Sequence, residues 1–143
     1  MRWLASLLLL SLSASAHPPS GQTQVVVVMK MASCSVCAGQ MQRLSSAELG
    51  VPLMGITHDP QPMADRVTQT TGVPTYSHAE GIASMGLWLE DQGIAMPAVV
   101  VYDRCGVETG RVVGRRPGAD ATRAVRQLVE QANAVTGCGK PVS

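Results

Sequence analysis

Phenylalanine is absent from this 143-residue chain, whereas methionine occurs eight times. We therefore expect methionine to occupy core positions that other proteins give to phenylalanine, because its flexible side chain fills irregular gaps. An excess of positive charge is also absent, since 11 Lys and Arg stand against 10 Asp and Glu. This balance argues against a nucleic-acid-binding surface. Internal repeats are missing too, and the length suits one domain with its own core.

No segment after the first residues is apolar and long enough to cross a membrane. At the start, Arg2 precedes a short apolar run, and Ala14-Ser15-Ala16 has the small-x-small form that a signal peptidase cuts. We predict a signal peptide over residues 1–16, cut between Ala16 and His17, and therefore a periplasmic or secreted protein. An uncleaved membrane anchor is the alternative, although the run is short for a bilayer.

The rest of the chain alternates between β-branched runs and helical patterns. A Pro/Gly linker (17–23) precedes one domain (24–136), and a polar tail (137–143) follows. Strands are predicted over 24–31, 51–56, 98–103 and 108–114, and helices over 34–47, 62–71, 79–90 and 119–135. This order predicts an α/β fold with a central mixed sheet, helices on its faces and a hairpin near the end.

Two of the four cysteines, Cys34 and Cys37, form a C-x-x-C motif where the first predicted strand gives way to a helix. Backbone N–H groups and the helix dipole at such a terminus favour a thiolate, so the pKa of Cys34 should fall below its ordinary value. Cys37, one turn further on, could then attack a mixed disulfide at Cys34. The motif predicts dithiol–disulfide exchange in an exported, oxidising compartment.

Two other uses of a C-x-x-C pair are a structural zinc site and an inert disulfide. A structural zinc site would need four ligands, usually from a second C-x-x-C or an H-x3–5-H pattern, and the sequence has neither. An inert structural disulfide stays open, although closing so short a loop contributes little stability. We therefore expect no metal and no cofactor.

Around this motif the chain resembles the thioredoxin superfamily and, within it, the exported TlpA/ResA-like redoxins. The resemblance covers residues 24–135 and is carried by VVVVMKMASCSVC, VPLMGITHD and IAMPAVVVYDRCGVETGRVVGRRPG. It implies a thioredoxin-like fold with a helical insert before a cis-proline, and a thiol–disulfide oxidoreductase. The partners would be cysteines of other proteins, with a membrane redox protein as electron donor or acceptor. The oligomeric state and the redox direction stay open.

The family places its cis-proline directly before the hairpin, which points to Pro97, and Met96 before it would offer its backbone to the substrate. Pro74 in GVPT has a similar signature, but no apolar strand follows it, so we predict that Pro74 stops a helix. The chain also has Ser33 where the family usually has Trp, and Gln40 where ResA-like members often have Glu. No obvious carboxylate is left to exchange a proton with Cys37.

The resemblance also implies roles for residues outside the motif. Cys105, in the hairpin turn, and Cys138, after the last helix, should meet at the end of the sheet opposite Cys34 and form a structural disulfide. Two free thiols or an intermolecular bridge are the alternatives. His58 should lie at the same sheet edge as Cys34, where it could tune the thiolate or cap the next helix together with Asp59. His78 is expected in a solvated polar loop.

Two further functions use the same fold. The first is a copper-binding chaperone that holds the metal through Cys34, Cys37 and His58, similar to Sco-like proteins. The second is a redox-inert module of a secretion or conjugation apparatus. A peroxidase is less favoured, because the motif lacks the proline-containing loop of peroxiredoxins.

Overall fold

The computed structural model describes residues 21–30, 37–80, 98–113 and 118–138. Within these ranges five strands form one mixed sheet in the order β3-β2-β1-β4-β5. The strands are β1 (Gln24–Met29), β2 (Leu53–Thr57), β3 (Thr75–Ser77), β4 (Ala98–Tyr102) and β5 (Glu108–Val113), and the helices are α1 (Cys37–Ser46), α2 (Gln61–Thr71) and α3 (Gly118–Asn133). The predicted α/β class and the terminal hairpin are confirmed.

β1 is the central strand, and its sequence, QVVVVM, suits that position. It pairs in parallel with β2 on one side and antiparallel with β4 on the other. All six of its residues are buried. A strand buried on both faces has no need of alternating polar residues, and β-branched side chains pack well on a pleated surface.

The three helices share one face of the sheet. Their inward side chains join alternate residues of β1 and β4 in a single cluster that includes Met29, Met41, Val67 and Val129. Met29 and Met41 are both 0% exposed, which confirms that methionine fills the core of this phenylalanine-free protein. The opposite face carries a second cluster, built from Val26, Val28, Ile56, Ala98, Val100 and Tyr102.

The predicted helix end at residue 71, within the approach to GVPT, is confirmed, but the role predicted for Pro74 was wrong. Helix α2 ends at Thr71, and the left-handed Gly72 (φ 73°), whose N–H donates to the Thr68 carbonyl, caps it. Pro74 instead leads into β3, which pairs in parallel with β2, and its carbonyl accepts the Gly55 N–H at 2.9 Å. A three-residue edge strand with the sequence Thr-Tyr-Ser has no apolar run that could have revealed it.

Several sequence predictions lie outside the described residues. They include the signal peptide and most of the linker, Met96 and Pro97, and the insert helix beyond Glu80; residues 78–80 are helical. Among the helices that the structure describes, none has the length and apolar character needed to span a bilayer.

Gly55, on β2, lies against the side chain of Met41 on α1. A Cβ built on Gly55 would lie 2.5 Å from Met41 Cε and 2.8 Å from Thr75 Oγ1. We expect Gly55→Ala to lower the free energy of unfolding by about 1–3 kcal/mol, because the buried neighbours must move. Urea denaturation measures this change.

The control is Gly39→Ala on α1, where no described atom lies within 4 Å of the added Cβ. There we expect a gain of up to about 1 kcal/mol, because alanine loses less backbone entropy in a helix. Equal effects of the two substitutions would contradict the close contact at Gly55.

Tyr102, at the end of β4, makes stability depend on alkaline pH. Burial, reinforced by the negative charge of Glu108 and opposed by Arg111, raises the pKa of Tyr102 from 10.0 to about 12. The unfolded chain therefore ionises first, so stability is full below pH 10 and falls as pH rises to about 12, by roughly 2–3 kcal/mol. Denaturation at several pH values should show this loss in Tyr76→Phe but not in Tyr102→Phe; its persistence in Tyr102→Phe would contradict the assignment.

Candidate functional site

Cys37 is the first residue of α1 and follows the carboxyl end of β1 by a short connection. Its side chain is 0% exposed and belongs to the cluster that contains Met29 and Met41. Cys37 is disulfide-bonded. Cys34 lies outside the described residues, so its predicted place at the start of the helix stays a prediction.

The edge of the sheet beside Cys37 collects the residues that follow three parallel strands. β1 runs parallel to β2, and β2 to β3, so their carboxyl ends point the same way. Thr57 is paired with Met29 on one side and with Ser77 on the other. Residues directly after Thr57 and Ser77 therefore lie at the edge towards which β1 leads before α1 begins at Cys37. Ligand and catalytic sites of α/β proteins favour this edge.

His58 and His78 meet at this edge. Their rings are stacked, with centroids 5.2 Å apart and an angle of 11° between the planes. The His58 N–H donates to the Met29 carbonyl at 3.0 Å, which continues the β1–β2 pairing. The prediction of a solvated His78 was wrong: Nε2 of this half-buried residue is buried, without a hydrogen-bond partner in the described structure.

Thr57 and Asp59 form a second polar pair at the same edge. The Thr57 hydroxyl donates to Asp59 Oδ2 at 2.7 Å, and the Asp59 N–H donates to Thr57 Oγ1 at 3.2 Å. Thr57 is 0% exposed and Asp59 is 8% exposed. Asp59 does not cap α2 as predicted, since the N-cap residue is Pro60 and no side chain caps it.

Asp59 and His78 are the polar residues of this edge whose surroundings the sequence did not reveal. Their position in the sequence, two residues beyond β2 for Asp59 and one residue beyond β3 for His78, could have indicated this edge. For His78 it did not, because β3 was not predicted. Of the other predicted site residues, Gln40 is half-buried on α1, and Met96 and Pro97 are outside the described ranges.

The other two cysteines lie at the opposite end of the sheet. Cys105 and Cys138 are joined in a disulfide, with Cα atoms 5.3 Å apart. The β4–β5 turn that carries Cys105 is held by Asp103, whose Oδ1 accepts the N–H groups of Cys105 and Val107 at 2.8 and 3.1 Å. Because Tyr102 pairs with Gln24, at the start of β1, the length of β1 separates this disulfide from Cys37.

A metal site at this edge would need several ligand side chains close together. Among the described residues, no group of three or more His, Cys, Asp or Glu side chains is arranged to hold a metal ion. The copper site predicted from Cys34, Cys37 and His58 includes a residue outside those ranges and stays a prediction.

No protein-family profile and no curated protein matches the sequence. Solved structures do match. A thiol:disulfide interchange protein of the thioredoxin family from Chlorobium tepidum is 22% identical, with a TM-score of 0.52 over 84% of this chain and 82% of that one. A secreted disulfide oxidoreductase of Mycobacterium tuberculosis, homologous to E. coli DsbE, is 16% identical, with a TM-score of 0.55 over 76% and 83%.

A peroxiredoxin-like protein from Aquifex aeolicus also matches, with 15% identity and a TM-score of 0.55 over 78% of this chain and 75% of that one. At such identities the likeness establishes the fold and leaves the activity open, because one fold hosts several chemistries. The chain has a thioredoxin-like fold.

Proposed function

We propose that this chain is an exported thiol–disulfide oxidoreductase that exchanges a Cys34–Cys37 dithiol or disulfide with cysteines of partner proteins. The main support is that Cys37 is buried and disulfide-bonded at the start of α1, next to a thioredoxin-like sheet. Cys105 and Cys138 are bonded to each other, so Cys34 is the one cysteine of the sequence left to pair with Cys37 in a single chain.

The reaction follows from the order of the two cysteines. In the reducing direction the Cys34 thiolate attacks a disulfide of the substrate, and the first substrate sulfur leaves as a thiolate. The Cys37 thiol then loses its proton and attacks Cys34, which breaks the mixed disulfide and releases the second substrate thiolate. Two electrons pass from the dithiol to the substrate. Oxidation of a substrate dithiol is the same sequence in reverse.

Other groups take supporting roles in this proposal. Met96 and Pro97 shape the groove that holds the substrate chain, and Gln40 and His58 adjust the environment of the cysteine pair. Ser35 and Val36, between the cysteines, help to set the reduction potential. A membrane redox protein in the exported compartment restores the starting state.

A redox titration tests the proposal. The protein lacking residues 1–16 is equilibrated in glutathione buffers, alkylated, and each cysteine is mapped by mass spectrometry. We expect Cys34 and Cys37 to titrate as one two-electron pair. A potential near that of thioredoxin, about −270 mV, would indicate a reductase, and one nearer −120 mV an oxidant. Absence of any exchange between this pair and glutathione would overturn the proposal.

A further inference from the structure

The mechanism proposed above leaves one buried acid without a role. Asp59 is 8% exposed and is held by the fully buried Thr57 hydroxyl, at the sheet edge beside Cys37. Burying a carboxylate is costly unless hydrogen bonds or opposite charge compensate. Asp103, equally buried at the opposite end, is explained by the turn that it holds together. Asp59 is not the N-cap residue of α2, which is Pro60, and its Oδ2 accepts the Thr57 hydroxyl.

The packing of α1 on β2 places Cys37 opposite the Thr57–Asp59 pair. Met41 Cε lies 2.5 Å from the position of a Cβ on Gly55, so the side chain of this turn of α1 packs against Gly55. α1 connects two parallel strands, so it runs back across the sheet in the opposite direction to them. One turn back from Met41 is Cys37, about 6 Å nearer the carboxyl edge. Two residues forward from Gly55 is Thr57, about 7 Å nearer the same edge.

Thr57 and Cys37 also lie on the same side of the sheet. Thr57 is paired with Met29, and Met29 belongs to the same buried cluster as Cys37 and Met41. Thr57 therefore points to the side of the sheet that carries α1. His58 alternates to the other side, where it stacks on His78. Further charged groups at this edge in the described ranges are Lys30, exposed directly after β1, and Glu80, exposed after β3, whose backbone N–H donates to Ser77 Oγ at 3.3 Å.

We infer that Asp59 is the group that exchanges a proton with Cys37 during dithiol–disulfide exchange, and that Thr57 positions its carboxylate. The inference rests on the proposed function. A buried thiol cannot release its proton directly to bulk water, and a nearby carboxylate can accept it.

Bonds, protons and electrons balance in the exchange with a disulfide substrate. With oxidised glutathione as substrate, Cys34 forms a mixed disulfide with one glutathione, and the other leaves. The Cys37 proton moves to the Asp59 carboxylate, and the Cys37 electron pair forms the bond to Cys34 Sγ while the Cys34–glutathione bond breaks. The departing glutathione thiolate takes up a proton, which Asp59 can return. The dithiol loses two electrons and the glutathione disulfide gains them.

The test compares Asp59→Asn with Asp103→Asn, an equally buried carboxylate at the far end of the sheet. Reduced protein is mixed with oxidised glutathione and quenched in acid, and mass spectrometry follows the mixed disulfide. We expect its resolution to slow by on the order of 10²-fold in Asp59→Asn and to stay unchanged in Asp103→Asn. Resolution at the wild-type rate in Asp59→Asn, or equal slowing in both variants, would overturn the inference.

The first half-reaction separates this inference from the proposed function. In a Cys37→Ser background, mixed-disulfide formation at Cys34 should proceed equally with and without Asp59→Asn. If no mixed disulfide forms in either of these two proteins, the proposed function fails. If it forms in both, and Asp59→Asn leaves the rate of resolution unchanged in the protein that retains Cys37, only the inference fails.

Thr57→Val provides a second variant that retains the carboxylate. The lost hydroxyl no longer orients Asp59 Oδ2, so we expect resolution of the mixed disulfide to slow in Thr57→Val. Mixed-disulfide formation at Cys34, measured in the Cys37→Ser background, should keep its rate. Resolution at the wild-type rate, or equal slowing of both steps, would mean that Thr57 is merely structural and would overturn its positioning role.

Discussion

Replacement of Cys37 by serine should reduce turnover to the rate of uncatalysed thiol exchange while leaving Cys34 able to capture a substrate. Cys34 supplies the first attack, but release of the product needs a second thiolate from the same motif. The variant should therefore accumulate a mixed disulfide that is stable until an external thiol cleaves it. Insulin reduction measures turnover, and non-reducing gels with mass mapping identify the adduct.

The matched control removes the other pair of cysteines. A Cys105→Ser/Cys138→Ser protein retains the C-x-x-C motif, and the length of β1 separates its altered end from Cys37. Measured well below its unfolding temperature, this control should keep wild-type turnover and form no lasting adduct. Sustained turnover in Cys37→Ser would refute the assigned order of attack, whereas absence of turnover in the wild-type protein would leave the redox-inert module as the better interpretation.

The sequence predicted the sheet well where burial determines composition. β1 and β4 are runs of valine because both faces of each strand are buried, and their type and approximate bounds are confirmed. β3 was missed because an edge strand of three residues needs no apolar run. Its ladder depends on pairing with β2, which a local pattern does not encode.

The candidate site was predictable in its motif but not in its surroundings. Local spacing identifies Cys34 and Cys37, whereas the place of Asp59 follows from long-range register: Met29 against Thr57, and Met41 over Gly55. The same register, through β3, brings His78 onto His58. Residues that are far apart in sequence become neighbours only when strand order and register are known, so no window of the sequence could have joined them.

Loss of the Cys105–Cys138 disulfide is expected to have the largest effect on stability. The bond closes a sequence separation of 33 residues, between the β4–β5 turn and the end of α3. In the chain-entropy treatment, opening such a loop stabilises the unfolded state by about 3–4 kcal/mol. For a domain of this size we expect the Tm to fall by roughly 10–15 °C.

Two hydrogen bonds near the disulfide remain in the Cys105→Ser/Cys138→Ser protein. Thr23 Oγ1 donates to Asn133 Oδ1 at 2.7 Å, and an Arg104 guanidinium N–H donates to the Thr136 carbonyl at 3.2 Å. Each such bond contributes about 1 kcal/mol in general. They should keep α3 docked, so the native fold persists while the unfolded chain gains freedom.

Urea denaturation of the double variant against wild type, both with the C-x-x-C pair held oxidised, measures the difference directly. If the entropic account is right, the midpoint falls while the native far-UV circular dichroism is unchanged. An unchanged free energy of unfolding would contradict a structural role for this bond. The exposed Cys138 would then make the pair a candidate for thiol exchange itself, because strained or exposed disulfides are the more readily reduced.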